Sequence, residues 1–159
     1  MSLKTTPQRA ADSLTTMTEY VLPTHANALG NVFGGQILAW MDLCAAICAQ
    51  RYAGVIAVTA SIDELGFQRP IKIGQVVLLE ARITATFKSS FEIKLVVHGE
   101  DSFVPETWVC VEAFTTFVAI DKDGKPVPVP QLITSTPEEK AMEQAAQERR
   151  RLRLARRKA

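Results

Sequence analysis

A polar, glycine-rich loop that leads directly into an apolar segment constrains this chain more than any other feature. Residues 25–36 read HANALGNVFGGQ, and residues 37–49 are apolar apart from one aspartate, Asp42. The apolar segment predicts a helix over about Gly35 to Tyr52, and a helix that is apolar on all sides is normally buried. A buried carboxylate is costly unless it is paired, hydrogen-bonded or used. Asp42 is therefore a structural carboxylate bound to backbone or to a hydroxyl, a residue pointing out at the helix edge, or a functional group.

The loop before this helix supplies donors that suit a developing negative charge. Adjacent glycines, Gly34 and Gly35, permit the close approach of a ligand, and the first N–H groups of a helix have no intrahelical partner. Asp42 follows them by about two helical turns, roughly 10–12 Å along the axis. Because His25 and Asn27 lie just upstream, the segment combines a carboxylate, an amide and backbone N–H donors, which are the groups that acyl-group hydrolysis uses.

Four motifs carry a family resemblance. They are His-Ala-Asn-x-x-Gly-x-x-Phe-Gly-Gly-x-x-Leu-x-Trp-Met-Asp over residues 25–42, VTASID over 58–63, FQRPI over 67–71 and EAFTTFVA over 112–119. Together they resemble the hotdog-fold acyl-CoA thioesterases, in the branch of bacterial YciA-type and mammalian cytosolic acyl-CoA hydrolases, over about residues 16–132. The resemblance implies an α+β hotdog fold, with a curved antiparallel sheet around a long central helix. It also implies hydrolysis of acyl-CoA to free CoA and a carboxylic acid.

Three residues are candidates for catalysis. The resemblance makes Asp42 the catalytic carboxylate, acting either as a general base for water or as a nucleophile at the thioester carbonyl, and the sequence leaves both open. Asn27 matches a second active-site residue that comes from the opposite protomer in the family, although by itself it is a turn-forming loop residue. Gly35 is the candidate oxyanion donor through its backbone N–H.

The candidates for substrate binding form two groups. Near the thioester we expect His25 and Gly34 in the loop, and Thr59 and Ser61 on the strand that runs beside the helix in relatives. The second group lies at strand ends or loops that match the nucleotide-binding edge of the family and would bind CoA phosphates. Its members are Arg69, Lys72, Lys88, Ser89 and Ser90. Taken singly, each residue of both groups also fits an ordinary structural or surface role.

Alternating hydrophobicity predicts a sheet independently of the resemblance. Every second residue from 77 to 87 and from 91 to 97 is apolar. This period of two is typical of antiparallel strands with one buried face. Strands are predicted over 55–64, 76–88, 91–99 and 108–120, with a short one over 18–22. One long apolar helix and several long strands favour a sheet wrapped around that helix.

Composition limits the class of protein. A chain of 159 residues that is 47% hydrophobic suffices for one domain with a core. We find no signal-peptide pattern and no apolar stretch of membrane-spanning length, which predicts a cytoplasmic protein with no membrane partner. The resemblance to acyl-CoA thioesterases implies a role in fatty acid metabolism. Cys44, Cys48 and Cys110 fit no disulfide framework or zinc spacing, so we expect no metal and no cofactor apart from the coenzyme A of the substrate.

Positive charge is concentrated at the C-terminal end. The net charge of +1 divides into +6 over residues 148–159 and −5 over the rest. Residues 136–139 combine an N-cap threonine, a proline at the first helical position and a capping-box glutamate, which predicts a helix from Pro137 to about Arg157. The basic end lacks aromatic residues and any nucleic-acid motif, so we expect no nucleic-acid partner. The basic end is interpreted either as a solvated helix end or as a segment that contacts the nucleotide part of CoA.

The predicted organisation has three segments. They are a poorly ordered N-terminus over residues 1–15, a hotdog domain over 16–132 and a basic helix or tail over 133–159. Because no internal repeat is present, the chain supplies one hotdog, whose edge strand needs a partner. The resemblance implies a homodimer that forms the active site, and a hexamer made of three such dimers.

Two other functions compete with thioester hydrolysis. A hotdog hydratase or dehydratase needs a paired histidine and acid, and the helix offers Asp42 without an adjacent histidine. A non-catalytic acyl-CoA sensor would carry a DNA-binding segment, and none is visible in the sequence.

Overall fold

A computed structural model describes residues 2–63 and 65–156, which contain seven strands, two α-helices and two short 3₁₀ helices. The strands are β1 (Gln8–Arg9), β2 (Thr15–Tyr20), β3 (Ala57–Ile62), β4 (Val76–Thr86), β5 (Ser90–Asp101), β6 (Glu106–Ala119) and β7 (Leu132–Ile133). The helices are α1 (Gly34–Ala53) and α2 (Pro137–Arg156). The predicted strand end at Glu64 and the predicted end of the C-terminal helix and tail over 157–159 lie outside the described residues.

A five-stranded antiparallel sheet, in the order β2-β4-β5-β6-β3, curls around α1. The helix packs against all five of these strands. Phe91, Ile93, Leu95 and Val97 of β5 are fully buried on the side of the sheet that holds the core. The alternation in the sequence predicted this inward face, and it is confirmed together with the hotdog arrangement.

One side of α1 is left uncovered by its own sheet. Gly35, Ala39, Asp42 and Leu43 are exposed, and their spacing places them on one face of the helix, here called the open face of α1. The prediction of a helix buried on all sides is therefore wrong for the single chain. The open face could not be predicted from the sequence because its residues, apart from Asp42, are as apolar as the residues of α1 that enter the core.

The strand β3 forms one edge of the sheet and is unusually exposed. Val58 and Ile62 are 43% and 40% exposed. A β-bulge interrupts the pairing of β3 with β6 between Thr59 and Ser61. An apolar edge strand offers unpaired backbone groups to another strand, so β3 suits pairing with a second chain.

The N-terminal segment holds regular structure, contrary to the prediction of a poorly ordered stretch over residues 1–15. The strand β1 pairs in parallel with β7, and a 3₁₀ helix over Ala10–Ser13 buries both of its end residues. The Ser13 hydroxyl donates to the Ala10 carbonyl at 2.7 Å and accepts from the Ile83 N–H at 3.0 Å. Such a short segment is held by a few specific contacts, which leave no periodic pattern in the sequence.

The helix α2 begins as the capping box predicts. The Glu139 N–H donates to the Thr136 hydroxyl at 3.1 Å. In return, the Glu139 carboxylate accepts from the N–H groups of Ser135 and Thr136 at 2.6 and 3.2 Å. These two donors hold the pKa of Glu139 below its usual range. The predicted N-terminus of the helix is thereby confirmed.

The basic end of α2 packs against the sheet, so the prediction of a solvated helix end is wrong for its inner arginines. The Arg149 guanidinium lies 3.6 Å from the centre of the Phe114 ring and pairs with Glu92 at 2.7 Å. Arg153 pairs with Asp63 at 2.7 Å. Arginine is suited to such places because its planar group stacks on rings while donating hydrogen bonds. Within the described ranges, neither helix is both long and apolar enough to cross a membrane.

Candidate active site

The loop before α1 is folded tightly around Asn27. The Asn27 side-chain oxygen accepts from the N–H groups of Leu29 and Asn31 at 2.9 and 3.3 Å, and Gly30 closes the turn with a φ of +74°. The turn-forming interpretation of Asn27 is thus correct for its oxygen. Because that oxygen holds the turn, the Nδ2 group is left as the donor that a ligand can use.

His25 anchors the base of this loop. Its Nδ1 atom accepts from the Leu22 N–H at 3.2 Å, and its ring packs edge-on against Trp40 with centroids 4.9 Å apart. The His25 carbonyl accepts from the Phe33 N–H at 2.9 Å. These contacts orient the loop relative to α1 and give His25 a structural position.

The two glycines occupy the first turn of α1. Because Gly34 and Gly35 are its first residues, their N–H groups belong to the set without an intrahelical partner. A Cβ added at Gly35 would have no described atom within 4 Å, whereas one at Gly34 would touch the Phe67 ring at 3.5 Å. The Gly35 N-terminal position therefore has free space beside it at the start of the open face.

Asp42 lies on the open face of α1 and receives a hydrogen bond from β3. The Thr59 hydroxyl donates to the Asp42 Oδ1 atom. Both side chains are exposed in the single chain. Two of the predicted positions of Asp42 are therefore both correct: it binds a hydroxyl group, and it points outward at the edge of the helix. Thr59 supplies the hydroxyl and is in direct contact with Asp42. One carboxylate oxygen is fixed by Thr59, which leaves the other one accessible.

The first CoA-binding candidates, Arg69 and Lys72, lie near the Asn27 loop. A cavity of about 230 Å³ has Asn27, Gly34 and Arg69 in its lining, and Lys72 forms a backbone bridge with Asn31. Asp42 is not among the residues that line this cavity, which therefore brings Asn27 and Gly34 together without Asp42. The Arg69 guanidinium also pairs with Glu106 at 2.6 Å, which raises its pKa through a side-chain hydrogen bond.

The remaining CoA-binding candidates lie at the far end of β4. Lys88, Ser89 and Ser90 follow that strand, whereas Lys72 precedes it. The strand is 11 residues long, so its two ends lie about 33 Å apart at the rise of an extended strand. The residues predicted to bind the CoA phosphates therefore form two separate clusters within one chain. Ser61, across the bulge from Thr59, shares a cavity with Ser90.

The three cysteines are buried and free. Desolvation raises the pKa of Cys44 and Cys110 to about 11 and that of Cys48 to about 12. A thiol is nucleophilic only as the thiolate, so none of them is prepared for covalent catalysis.

A set of ion pairs beneath α2 was missed by the sequence reasoning. Glu92 and Asp63 bind the arginines of α2 on the sheet face opposite α1. The alternation of β5 places Glu92 on that outer face, which by itself predicts a solvated residue. The available signal was the spacing of Arg149 and Arg153, four residues apart and hence on one side of the helix.

Fold and site together define a hotdog protein with a hydrogen-bonded carboxylate on the uncovered face of its central helix. A sequence profile of the Thioesterase superfamily matches residues 29–105. Acyl-coenzyme A thioesterase 11 of Mus musculus is 41% identical over 138 residues, which are 87% of this chain and 23% of the mouse protein. The chain spans about a quarter of the length of the mammalian relatives that it matches first.

Several solved structures match over nearly the whole length of both chains, and two of them illustrate the similarity. An apo-hexameric acyl-CoA thioesterase is 38% identical with a TM-score of 0.90, and the match covers 95% of this chain and 97% of that one. The acyl-CoA hydrolase of Staphylococcus aureus, in complex with butyryl-CoA and CoA, is 33% identical with a TM-score of 0.86 and coverage of 94% and 92%. Variants of that enzyme with alanine in place of an aspartate, an asparagine and a threonine have also been solved. This chain belongs to the thioesterase superfamily, as its sequence motifs predicted.

Proposed function

We propose that this protein is an acyl-CoA thioesterase, which hydrolyses the thioester to free CoA and a carboxylic acid. The observation that carries the proposal is the Asp42 carboxylate, bound by Thr59 and located two helical turns from the free N–H groups at the start of α1. Membership of the superfamily and the names of the relatives support the same activity.

Each proposed catalytic group has one task. Asp42 either takes a proton from the attacking water or attacks the thioester carbonyl itself, and Thr59 keeps its carboxylate in place for that step. The Gly35 N–H donates to the carbonyl oxygen as negative charge develops there, an interaction that is stronger in the transition state than in the substrate. Asn27 donates through Nδ2 to the thioester or to the water.

We further propose that two chains share each active site. In one chain, the cavity beside Asn27 does not include Asp42, while the open face of α1 and the edge strand β3 are both uncovered. Pairing of β3 with its copy would cover the two together. In the Staphylococcus aureus enzyme the replaced asparagine, aspartate and threonine are separated by 15 and 17 residues, the same intervals as between Asn27, Asp42 and Thr59. The hexameric relative supports a trimer of such dimers.

The CoA part of the substrate would bind across the same dimer. Arg69 and Lys72 lie beside the Asn27 loop, whereas Lys88, Ser89 and Ser90 lie at the opposite sheet end. A second chain that pairs through β3 would bring one cluster from each protomer toward one substrate. Cationic side chains and hydroxyls are the groups that phosphates require. The reaction as proposed needs no metal and no cofactor, and it would take place in the cytoplasm.

Steady-state release of CoA thiol from acetyl- to palmitoyl-CoA tests the activity. We expect turnover on at least one of these substrates, equal with and without EDTA, and loss of turnover in Asp42→Asn. Tight binding of acyl-CoA without thiol release would favour the sensor, and hydration of an enoyl-CoA would favour the hydratase. Activity that EDTA abolishes and zinc restores would contradict the metal-free reaction.

Mixing of two inactive variants tests the shared site. Asn27→Ala and Asp42→Ala chains, unfolded together and refolded, should form heterodimers in which one site combines an intact Asn27 with an intact Asp42. We expect activity to return only in the mixture, since each variant refolded alone lacks a complete site. If native mass spectrometry shows heterodimers and no activity returns, the two residues act within a single chain.

A further inference from the structure

Beneath α2, on the sheet face opposite α1, lies a fully buried carboxylate. Glu92 of β5 is 0% exposed. Arg149 binds it with two hydrogen bonds, from Nε at 3.0 Å and from Nη2 at 2.7 Å, and the Thr84 hydroxyl adds a third at 2.8 Å. A buried charge is costly unless its partners are well placed. Glu92 therefore fixes the position of α2 on the middle of the sheet.

Arg153, one turn further along α2, connects this carboxylate to the end of β3. Its Nη1 atom lies 3.5 Å from the Glu92 carboxylate and 2.7 Å from the carboxylate of Asp63. Asp63 directly follows β3, and its N–H donates to the Phe114 carbonyl at 2.8 Å. The Arg153 and Asp63 side chains are only 16% and 22% exposed. This ion pair is therefore partly shielded from water and ties an edge residue to the sheet centre.

The strand that Arg153 holds through Asp63 is β3, which also carries Thr59. As an edge strand, β3 pairs with β6 alone within residues 2–63 and 65–156. The bulge between Thr59 and Ser61 weakens that pairing at the residue next to Thr59. Bulges turn side chains away from the regular pattern and are frequent beside active sites. Beyond the bulge, the pairing of β3 with β6 resumes over only two residues, Ser61 and Ile62. The Thr115 hydroxyl, which donates to the Ser61 carbonyl at 2.9 Å, and the Asp63 contacts add to it.

We propose that Arg153 is a positioning residue for the catalytic carboxylate: by holding Asp63 it keeps β3 where the Thr59 hydroxyl reaches Asp42. The inference rests on the proposed catalytic role of Asp42. Arg153 acts from the opposite side of the sheet and touches neither Asp42 nor Thr59. Misplacement of a catalytic group by about 1 Å can cost on the order of 100-fold in rate, so a loosened β3 lowers turnover without loss of any reacting group.

The test compares Arg153→Gln with a matched control, Arg151→Gln. Arg151 lies on the same helix and, among the described residues, pairs with Glu148 alone, with both side chains more than half exposed. Arg153 lines a cavity together with Ser61 and Ser90, two of the binding candidates, but its guanidinium is engaged by Asp63 and Glu92. We expect Arg153→Gln to lower kcat by about tenfold or more and to leave KM within about twofold, since the binding candidates themselves all remain in place. Arg153→Lys should recover part of the loss, because an ammonium group can still pair with Asp63. Arg151→Gln should behave as wild type.

A second pair of variants distinguishes positioning from general destabilisation. If Arg153 acts through Thr59, the double variant Arg153→Gln, Thr59→Val loses no more kcat than Thr59→Val alone, because residues in one chain of contacts are not additive. A merely structural Arg153 would give the product of the two losses, or a lower melting temperature with unchanged kcat, and either result overturns the proposal. Should Arg153→Gln fail to fold, Asp63→Asn carries the same comparison.

Asp42→Asn in the same assay separates this proposal from the proposed function. If Asp42→Asn remains active, the catalytic role of Asp42 is wrong. If Asp42→Asn is inactive while Arg153→Gln keeps full kcat, only the positioning role of Arg153 is wrong. A rise in KM with unchanged kcat in Arg153→Gln would instead indicate direct contact with CoA and would also overturn it.

Discussion

Removal of the Thr59 hydroxyl is the most direct perturbation of the proposed catalytic pair. Thr59→Val keeps the branched shape that suits a strand and deletes only the donor that Asp42 Oδ1 accepts from. A hydrogen bond to a charged group contributes about 1.5–3 kcal/mol. Since about 1.4 kcal/mol corresponds to a tenfold change in rate, we expect kcat to fall by about 10- to 150-fold if the bond is fully used in the transition state.

The assay has to separate this loss from an effect on folding or binding. Thr59 is exposed in the chain, so Thr59→Val should change the free energy of unfolding by no more than about 0.5 kcal/mol. Thiol release would give kcat and KM, and urea unfolding would give stability. Thr59→Ser restores a hydroxyl at the same position and should recover most of kcat. A Thr59→Val enzyme with kcat within twofold of wild type would refute the role of Thr59 in orienting Asp42.

Three further predictions concern the carboxylate, the core and the capping box. Asp42→Asn should lower kcat by about 10²–10⁴-fold with an unchanged circular dichroism spectrum, and near-normal kcat would locate the chemistry elsewhere. Gly99→Ala should destabilise the fold by about 1–3 kcal/mol in urea, because the added Cβ would overlap the Trp108 indole; a neutral effect would mean that Trp108 moves freely. Backbone donors lower the pKa of Glu139, so its stabilisation is present above the ordinary glutamate pKa and lost as pH falls through the folded-state pKa. Unfolding curves of wild type and Glu139→Gln should therefore differ at neutral pH and converge in acid, and a constant difference would contradict this.

Local sequence patterns predicted the elements whose causes are local. The buried face of β5 follows from its own alternation, and the start of α2 follows from the chemistry of residues 136–139. In both cases the residues that form the pattern also form the contacts. Asp42 was identified because a charge in an apolar helix is conspicuous without knowledge of its neighbours.

Tertiary neighbours decided what the sequence left open. Nothing local indicates that Thr59 binds Asp42, because 17 residues separate them and a threonine in a strand is usually a good strand former. The alternation of β5 places the Glu92 side chain on the outer face of the sheet. Because α2 packs on that face, Glu92 is nevertheless fully buried. The uncovered side of α1 depends on how far the sheet curls, which hydrophobic periodicity does not encode.

The exposed position of the proposed catalytic pair, Asp42 and Thr59, in one chain has a physical cost that the fold offsets in two ways. A carboxylate that must meet a substrate between two protomers has to lie at an uncovered edge, and an edge strand lacks one of its two neighbours. The proposed second chain supplies the missing neighbour on the edge of β3. The ion pair between Arg153 and Asp63 holds the same strand from its outer face, within the chain and before any partner binds. Thr59 would thus be aligned with Asp42 already in the monomer, so that dimerisation has only to add Asn27 and exclude water.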